Sequence, residues 1–191
     1  DVYAFVKNNG GKVAVYKENL YKPMPGYRFI ASNTDRSRYY VGELNGKSSK
    51  QAYMDALHIS ESNIINQTFH NPLGKMNGQD ICIISLKEVS GNGLCCYRQV
   101  NDSDVLVLLE EQDYNEILDE TLQRIRRDFN HISGVFSINC VFRYLLFSQE
   151  HHMEDYLKTM STLGEHAGLI GFGEHYNQQF VNQTMTCVVF E

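Results

Sequence analysis

"DVLVLLEEQDYNEILDETLQRIRRDF", residues 104–129, contains the transition that decides the fold class. "DVLVLLE" at 104–110 is a continuous apolar run, which is typical of a strand covered on both faces. Asp113 and Glu116 then form a predicted capping pair. Helical spacing of the following apolar side chains predicts a helix over 114–130; they are Ile117, Leu118, Leu122, Ile125 and Phe129. A strand therefore leads directly into an amphipathic helix.

The segments on either side extend this pattern. Downstream, "GVFSINCVFRYLLFS" (134–148) predicts a strand over about 134–147, and a helix follows over about 150–163. "GLIGF" (168–172) predicts a strand, "GEHYNQQF" (173–180) a loop and "NQTMTCVVF" (182–190) the last strand. Upstream, turns such as "NNGG" (8–11) and "SGNG" (90–93) predict hairpins.

The predicted fold class is α+β, a mixed sheet with about three helices. The N-terminal half is rich in hairpins, with one short helix over about 49–58, and the C-terminal half has the order β-α-β-α-β-β. "KPMPG" (22–26) is the best candidate for a boundary between residues 1–25, a pair of strands that includes 2–6, and a domain over 26–191.

Composition excludes several classes of protein. The 191 residues are 42% hydrophobic and carry a net charge of −6, and the densest cationic stretch, "RIRR" (124–127), lies at the end of a predicted helix. Cations there complement the helix dipole, so nucleic acid is not an expected partner. No apolar run reaches the roughly 20 residues of a membrane span, and no signal peptide is present. A chain that begins with Asp1 rather than Met is expected to be a fragment.

The cysteines indicate a reducing, cytoplasmic compartment. Their number is odd, their spacings are wide and no C-x-x-C occurs, which disfavours both a disulfide framework and a zinc site; they are Cys82, Cys95, Cys96, Cys140 and Cys187. We expect neither a metal nor a cofactor.

Within 134–147, an unbroken strand would place Ser137, Asn139 and Arg143 on one face and Cys140 on the other, apolar face. A buried guanidinium requires a partner. That partner is either a structural carboxylate such as Glu174 or the anionic group of a ligand, for which the arginine fork is well suited. Cys140 would then be a small core side chain, unless the strand breaks into a helical turn at residue 140.

Near the C terminus, "INCVFRYLLF" followed by "GFGEHYNQQFVNQTMTCVVF" resembles the C-terminal domain of FIST proteins. The shared pattern is a Cys-x-x-Arg segment, a Gly-Phe and Gly-Glu turn, and Asn-Gln-Thr before the last strand. "VGELNGKSSKQAYMDAL" and "NPLG" extend the resemblance to about 25–191. The turn around Glu174 is shorter than the family's. Residues 1–25 would then be the tail of a preceding FIST N-terminal domain.

What the resemblance implies is a non-catalytic sensory domain of a bacterial signal-transduction protein. Such domains are proposed to bind small ligands such as amino acids, beside chemotaxis, kinase or cyclic-nucleotide output domains. The predicted ligand is a small carboxylate-bearing molecule, with Arg143 on its carboxylate and Glu174 on its ammonium group. The remaining candidate ligand-binding residues are Asn139, Cys140, Gly171, Gly173, Asn182 and Thr184.

Two other functions remain open. The first is a thiol enzyme with Cys140 as the nucleophile and a histidine such as His175 as the base. The second is a protein-interaction module, as in eukaryotic F-box proteins of the family. Plain structural roles also remain for the site residues: Gly171 and Gly173 in a tight turn, and Asn182 and Thr184 in capping it.

Overall fold

The computed structural model describes residues 5–78 and 80–191 and has an α+β fold. Its strands are β1 (Val13–Asn19), β2 (Tyr21–Asp35), β3 (Tyr40–Leu44), β4 (Lys47–Ser48), β5 (Leu73–Asn77), β6 (Asp80–Ile84), β7 (Leu86–Ser90), β8 (Gly93–Cys96), β9 (Val105–Glu111), β10 (Gly134–Cys140), β11 (Glu165–Gly171), β12 (Glu174–Tyr176), β13 (Gln179–Val181) and β14 (Thr184–Phe190). Its helices are α1 (Ser49–Leu57), α2 (Ile64–Gln67), α3 (Tyr114–Asp128), α4 (Val141–Gln149) and α5 (Met153–Met160), with 3-10 turns at Glu61–Asn63 and Ser161–Leu163.

The chain divides into two compact units. The hairpin unit comprises Leu20–Gln112 and Val181–Gln183. Its sheet has the order β6-β5-β9-β2-β3-β8-β7, with β4 paired to β3, and the pairings are antiparallel. Alternating apolar side chains place Leu44, Leu94 and Leu108 in a core that α1 completes through Tyr53.

The helical unit comprises the stretch up to Asn19, Asp113–Phe180 and Thr184–Glu191. Its sheet has the order β1-β14-β10-β11, and the β10–β11 pair is parallel, as expected for strands joined through helices. α3 packs against β1, and α4 packs against β10 and β11. The strands point Tyr16, Val135 and Val189 into the same core as Leu122 of α3 and Phe147 of α4.

The predicted helices over 49–58, 114–130 and 150–163 are confirmed as α1, α3 and α5. The predicted loop over 173–180 is wrong, because it contains β12 and the start of β13. "KPMPG" lies inside β2, where pairing with β9 shifts register between Pro23 and Arg28. Of the strand predicted over 2–6, residues 2–4 lie outside the described part, while Phe5 and Val6 are not in a strand.

Candidate functional site

The strand predicted over 134–147 is wrong beyond its midpoint, because β10 ends at Cys140 and α4 begins at Val141. Cys140 is the N-cap residue of α4, with extended backbone angles (φ −60°, ψ 140°) and no side-chain capping bond. Arg143 therefore lies in the first turn of a helix. Residues three apart lie on the same side of a helix, so the side chains of Cys140 and Arg143 project in similar directions. In an unbroken strand they would lie on opposite faces.

The two faces of β10 also differ from the prediction. Ser137 and Asn139 do share a face, but that polar face is the buried one. The alternate, apolar face is the more accessible, and Phe136 on it is 40% exposed. The polar face therefore forms the buried side of this strand, although Cys140, at the end of the apolar face, is also buried at 2% exposure.

Arg143 is buried, with only 1% of its surface exposed. Its Nη2 donates a hydrogen bond to Oε1 of Glu18, whose side chain is itself fully buried. The guanidinium carbon lies 4.6 Å from the ring centroid of Phe147 and 5.4 Å from that of Tyr156. The carboxylate partner is thus Glu18 of β1 rather than Glu174. Glu18 was missed, although its alternation with Tyr16 in "VAVYKEN" places both on the inner face of β1.

Several buried polar atoms in and around this ion pair have no hydrogen-bond partner in the described part of the chain. They are Nε and Nη1 of Arg143, Oε2 of Glu18 and Oδ1 of Asn139. Asn139 Nδ2 donates to the Tyr156 hydroxyl at 3.0 Å, and burial raises the pKa of that hydroxyl. We call Glu18, Asn139, Arg143 and Tyr156 the arginine cluster. Each unpaired buried group costs about 1–3 kcal/mol, so the arginine cluster is incompletely satisfied by the protein's own groups.

Glu174 begins β12 and is also buried, at 2% exposure. Its Oε2 accepts a hydrogen bond from the Thr184 hydroxyl at 2.8 Å, and its Oε1 has no partner among the described residues. Burial raises the pKa of Glu174 to about 7, although hydrogen bonds from Thr184 and Cys140 and the charge of Arg143 oppose this shift. Glu174 therefore titrates near neutrality and can hold or release a proton there.

Two glycines allow the backbone to fold around this carboxyl group. A Cβ on Gly171 would lie 3.3 Å from the carbonyl oxygen of Gly173 and 4.0 Å from Oε1 of Glu174. Gly173 has φ +116°, a conformation that favours glycine. Gly171 is also the register partner of Cys140, so the predicted residues Cys140, Gly171, Gly173, Glu174 and Thr184 do lie together.

Asn182 belongs to the other unit. It lies in the Val181–Gln183 segment of the hairpin unit and is 7% exposed. Its neighbour Gln183, in the same segment, donates to the carbonyl oxygen of Thr68 at 3.1 Å. The predicted role of Asn182 in ligand binding stays a prediction.

Two histidines of the helical unit that lie outside the arginine cluster contact neighbouring side chains. Nε2 of His166 lies 2.9 Å from the Ser137 hydroxyl, and burial lowers the pKa of His166. The ring of His175 packs edge-on against Phe180. No group of three potential metal-ligating side chains was found within residues 5–78 and 80–191. Nor does a helix in that part of the chain have the length and hydrophobicity to cross a bilayer.

Comparison with known proteins identifies the family of the chain. The family model described as the FIST C domain matches residues 50–177, a region that includes β10, α4 and Glu174. Neither the curated proteins nor the solved structures gave a significant match. Because the family match covers more than half of the 191 residues, the chain belongs to the FIST C domain family, a sensory domain family of signal transduction.

Proposed function

We propose that this domain is a non-catalytic sensor that binds a small carboxylate-bearing ligand, such as an amino acid, at the arginine cluster. The observation that supports it is the set of unpartnered donors and acceptors on Arg143, Glu18 and Asn139. A ligand carboxylate would accept from the free guanidinium N–H groups, and a ligand ammonium group would donate to the free carboxylate oxygen. Charged hydrogen bonds of this kind are among the strongest in proteins.

The burial of Arg143 sets a condition on this function. A side chain with 1% exposure is reached only when the surrounding structure opens. Ligand binding would therefore select an open conformation and shift the equilibrium between the two states. That shift is the signal passed to an output domain in a cytoplasmic, bacterial signalling protein.

Calorimetry with a panel of amino acids and their deaminated analogues tests the proposal. We expect binding that Arg143→Lys weakens by about tenfold or more, since lysine lacks the planar fork. Arg126→Lys, a surface change on α3, is the matched control and leaves the affinity unchanged. Thermal unfolding confirms that each variant is folded. The proposal is wrong if no member binds to this chain or to one that also carries a FIST N-terminal domain, or if folded Arg143→Lys binds like the wild type.

A thiol enzyme is the second candidate, favoured by the break of β10 at residue 140. Cys140 occupies the N-cap position of α4, and its thiol hydrogen-bonds the carboxyl group of Glu174, which could serve as its base. Iodoacetamide labelling separates the two functions. Rapid labelling of the native protein at Cys140, slowed by Glu174→Gln, supports an enzyme; labelling only in denaturant excludes it.

A protein-interaction module, as in F-box relatives, is favoured by the outer sheet face of the helical unit. There Val15, Phe136 and Leu169 are 47%, 40% and 49% exposed. A photo-crosslinker placed at Phe136 tests this role in cells. One discrete adduct that Leu169→Asp abolishes supports it, and the absence of any adduct counts against it.

A further inference from the structure

A surface cleft of about 360 Å³ lies between β1 and α3 in the helical unit. The strand contributes Lys17, Glu18 and Asn19 to its lining, and the helix contributes Glu120, Arg124 and Arg127. The helical residues recur every three to four positions, so they form one stripe along α3. Its volume is within the range of small-molecule sites.

The cleft is more positive than its composition suggests. Glu18 is an acid of the lining, but its carboxylate is buried and paired with Arg143. The Lys17 ammonium group is also engaged elsewhere, since it donates to Gln179 Oε1 at 3.4 Å and lies 5.5 Å from the Tyr176 ring centroid. The other charged side chains of the lining are Arg124, Arg127 and Glu120. Such a concentration of cations stands out in a chain whose net charge is −6.

Two contacts within the protein hold the guanidinium group of Arg124 in place. Its Nη2 donates to the backbone carbonyl oxygen of Lys17 at 3.1 Å, and its guanidinium carbon lies 5.4 Å from the Tyr16 ring centroid. The Tyr16 hydroxyl in turn donates to Asp128 Oδ2 at 2.7 Å, which fixes the ring. A guanidinium already ordered in this way loses less conformational entropy when it binds an anion.

Arg127 lies three residues further along the same stripe. Like charges at this spacing destabilise a helix slightly unless an anion lies between them. Cations do favour a helix C terminus, but the neighbouring Arg126 satisfies that preference outside the cleft, where its Nη2 donates to Thr162 Oγ1 at 2.8 Å. Arg126 therefore bonds outside the cleft, whereas Arg124 and Arg127 both line it.

We propose that the α3 cleft is a second binding site, next to the arginine cluster, for a small organic anion that carries carboxylate or phosphate groups. Arg124 and Arg127 provide the guanidinium groups that would bind the anion. Glu120, which also lines the cleft, disfavours the approach of larger polyanions by repulsion. Glu18 belongs to the arginine cluster and also lines the cleft, but its carboxylate is buried and paired with Arg143. The anion-binding residues proposed here, Arg124 and Arg127, are not members of the arginine cluster, so this site does not depend on the proposed sensor function.

The test is a titration of the whole chain with inorganic phosphate and with succinate at constant ionic strength, followed by NMR of the backbone amides. We expect saturable shifts in α3 and β1. Arg127→Gln or Arg124→Gln should weaken binding about tenfold, as for the loss of one charged hydrogen bond. Arg126→Gln, one position away on the same helix, should change it less than twofold. Preference for phosphate or for succinate identifies the ligand's anionic group.

Two results would overturn this site: no saturable shift with either anion, or an Arg126→Gln variant that weakens binding as much as Arg127→Gln. The second result would assign the effect to the general field of the helix end. Amino acid binding at the arginine cluster should survive Arg127→Gln, and phosphate or succinate binding should survive Arg143→Lys. Failure of one site is therefore distinguishable from failure of the other.

Discussion

The hairpin unit packs Leu44, Tyr53 and Leu108 into a core cluster of apolar side chains, whereas the helical unit buries Glu18, Arg143 and Glu174 beside its apolar side chains. Among the described residues, these three are the charged side chains classed as buried. A buried ion pair rarely stabilises a fold more than apolar groups of the same volume would. The comparison teaches that the helical unit gives up stability for a polar interior, which is expected of a site rather than of a scaffold.

Removing the positive charge of Arg143 is expected to have the largest effect on the free energy of unfolding. Arg143→Met leaves Glu18 buried without a counter-charge and should lower the free energy of unfolding by about 3–5 kcal/mol. Lys75→Met in the hairpin unit breaks the partly exposed pair between Lys75 and Asp104 and should cost under about 1 kcal/mol. Denaturant unfolding measures both. If both variants lowered the free energy of unfolding equally, the energetic distinction between the two units would be wrong. Combining Arg143→Met with Glu18→Gln should recover part of the lost stability.

The buried carboxyl group of Glu174 should also make the stability of the helical unit depend on pH. Glu174 has a folded pKa of about 7 against an ordinary value of 4.5. Between these values the unfolded chain has lost the proton and the folded chain keeps it, so stability falls as pH rises from about 4.5 to 7. The loss is at most about 3 kcal/mol. Glu174→Gln, which resembles the protonated form, should flatten this part of the curve, and an unchanged curve would contradict the raised pKa.

A helix cap gives a smaller and more predictable effect. The Asp113 side chain accepts hydrogen bonds from the amides of Asn115 and Glu116 at 2.8 and 3.1 Å. Asp113→Ala should lower the free energy of unfolding by about 1 kcal/mol. Ser48→Ala, at the α1 cap in the hairpin unit, is the matched change. If Asp113→Ala lowered the free energy of unfolding more than Arg143→Met does, α3 rather than the polar interior would limit the stability of the helical unit.

The smallest effect on stability is expected at Asn139. Asn139→Leu removes an unpartnered buried acceptor and one hydrogen bond to Tyr156, so stability should stay within about 1 kcal/mol of the wild type. Ligand binding should nevertheless fall about tenfold. Calorimetry on the folded variant measures the effect on affinity apart from the effect on stability. An unchanged affinity would show that Asn139 does not bind the ligand.

Sequence patterns predicted α3 well, because its capping acid, apolar stripe and terminal arginines all agree. They failed at α4, since "VFRYLLFSQ" is apolar on most sides, has no side-chain cap and reads equally as a buried strand. Glu174 and Thr184 were found from motifs close together in the chain. Glu18 was not, because its contact with Arg143 spans 125 residues and only the fold creates it.

The central claim is that the arginine cluster exchanges its unpartnered atoms for those of a ligand. Arginine side-chain NMR during a ligand titration tests it most directly, because the Nε–H of Arg143 has no acceptor among the described residues. We expect this resonance to move downfield and to become protected from exchange with solvent as an amino acid saturates the protein. A ligand that saturates the protein while the Arg143 Nε–H signal stays unchanged would contradict it.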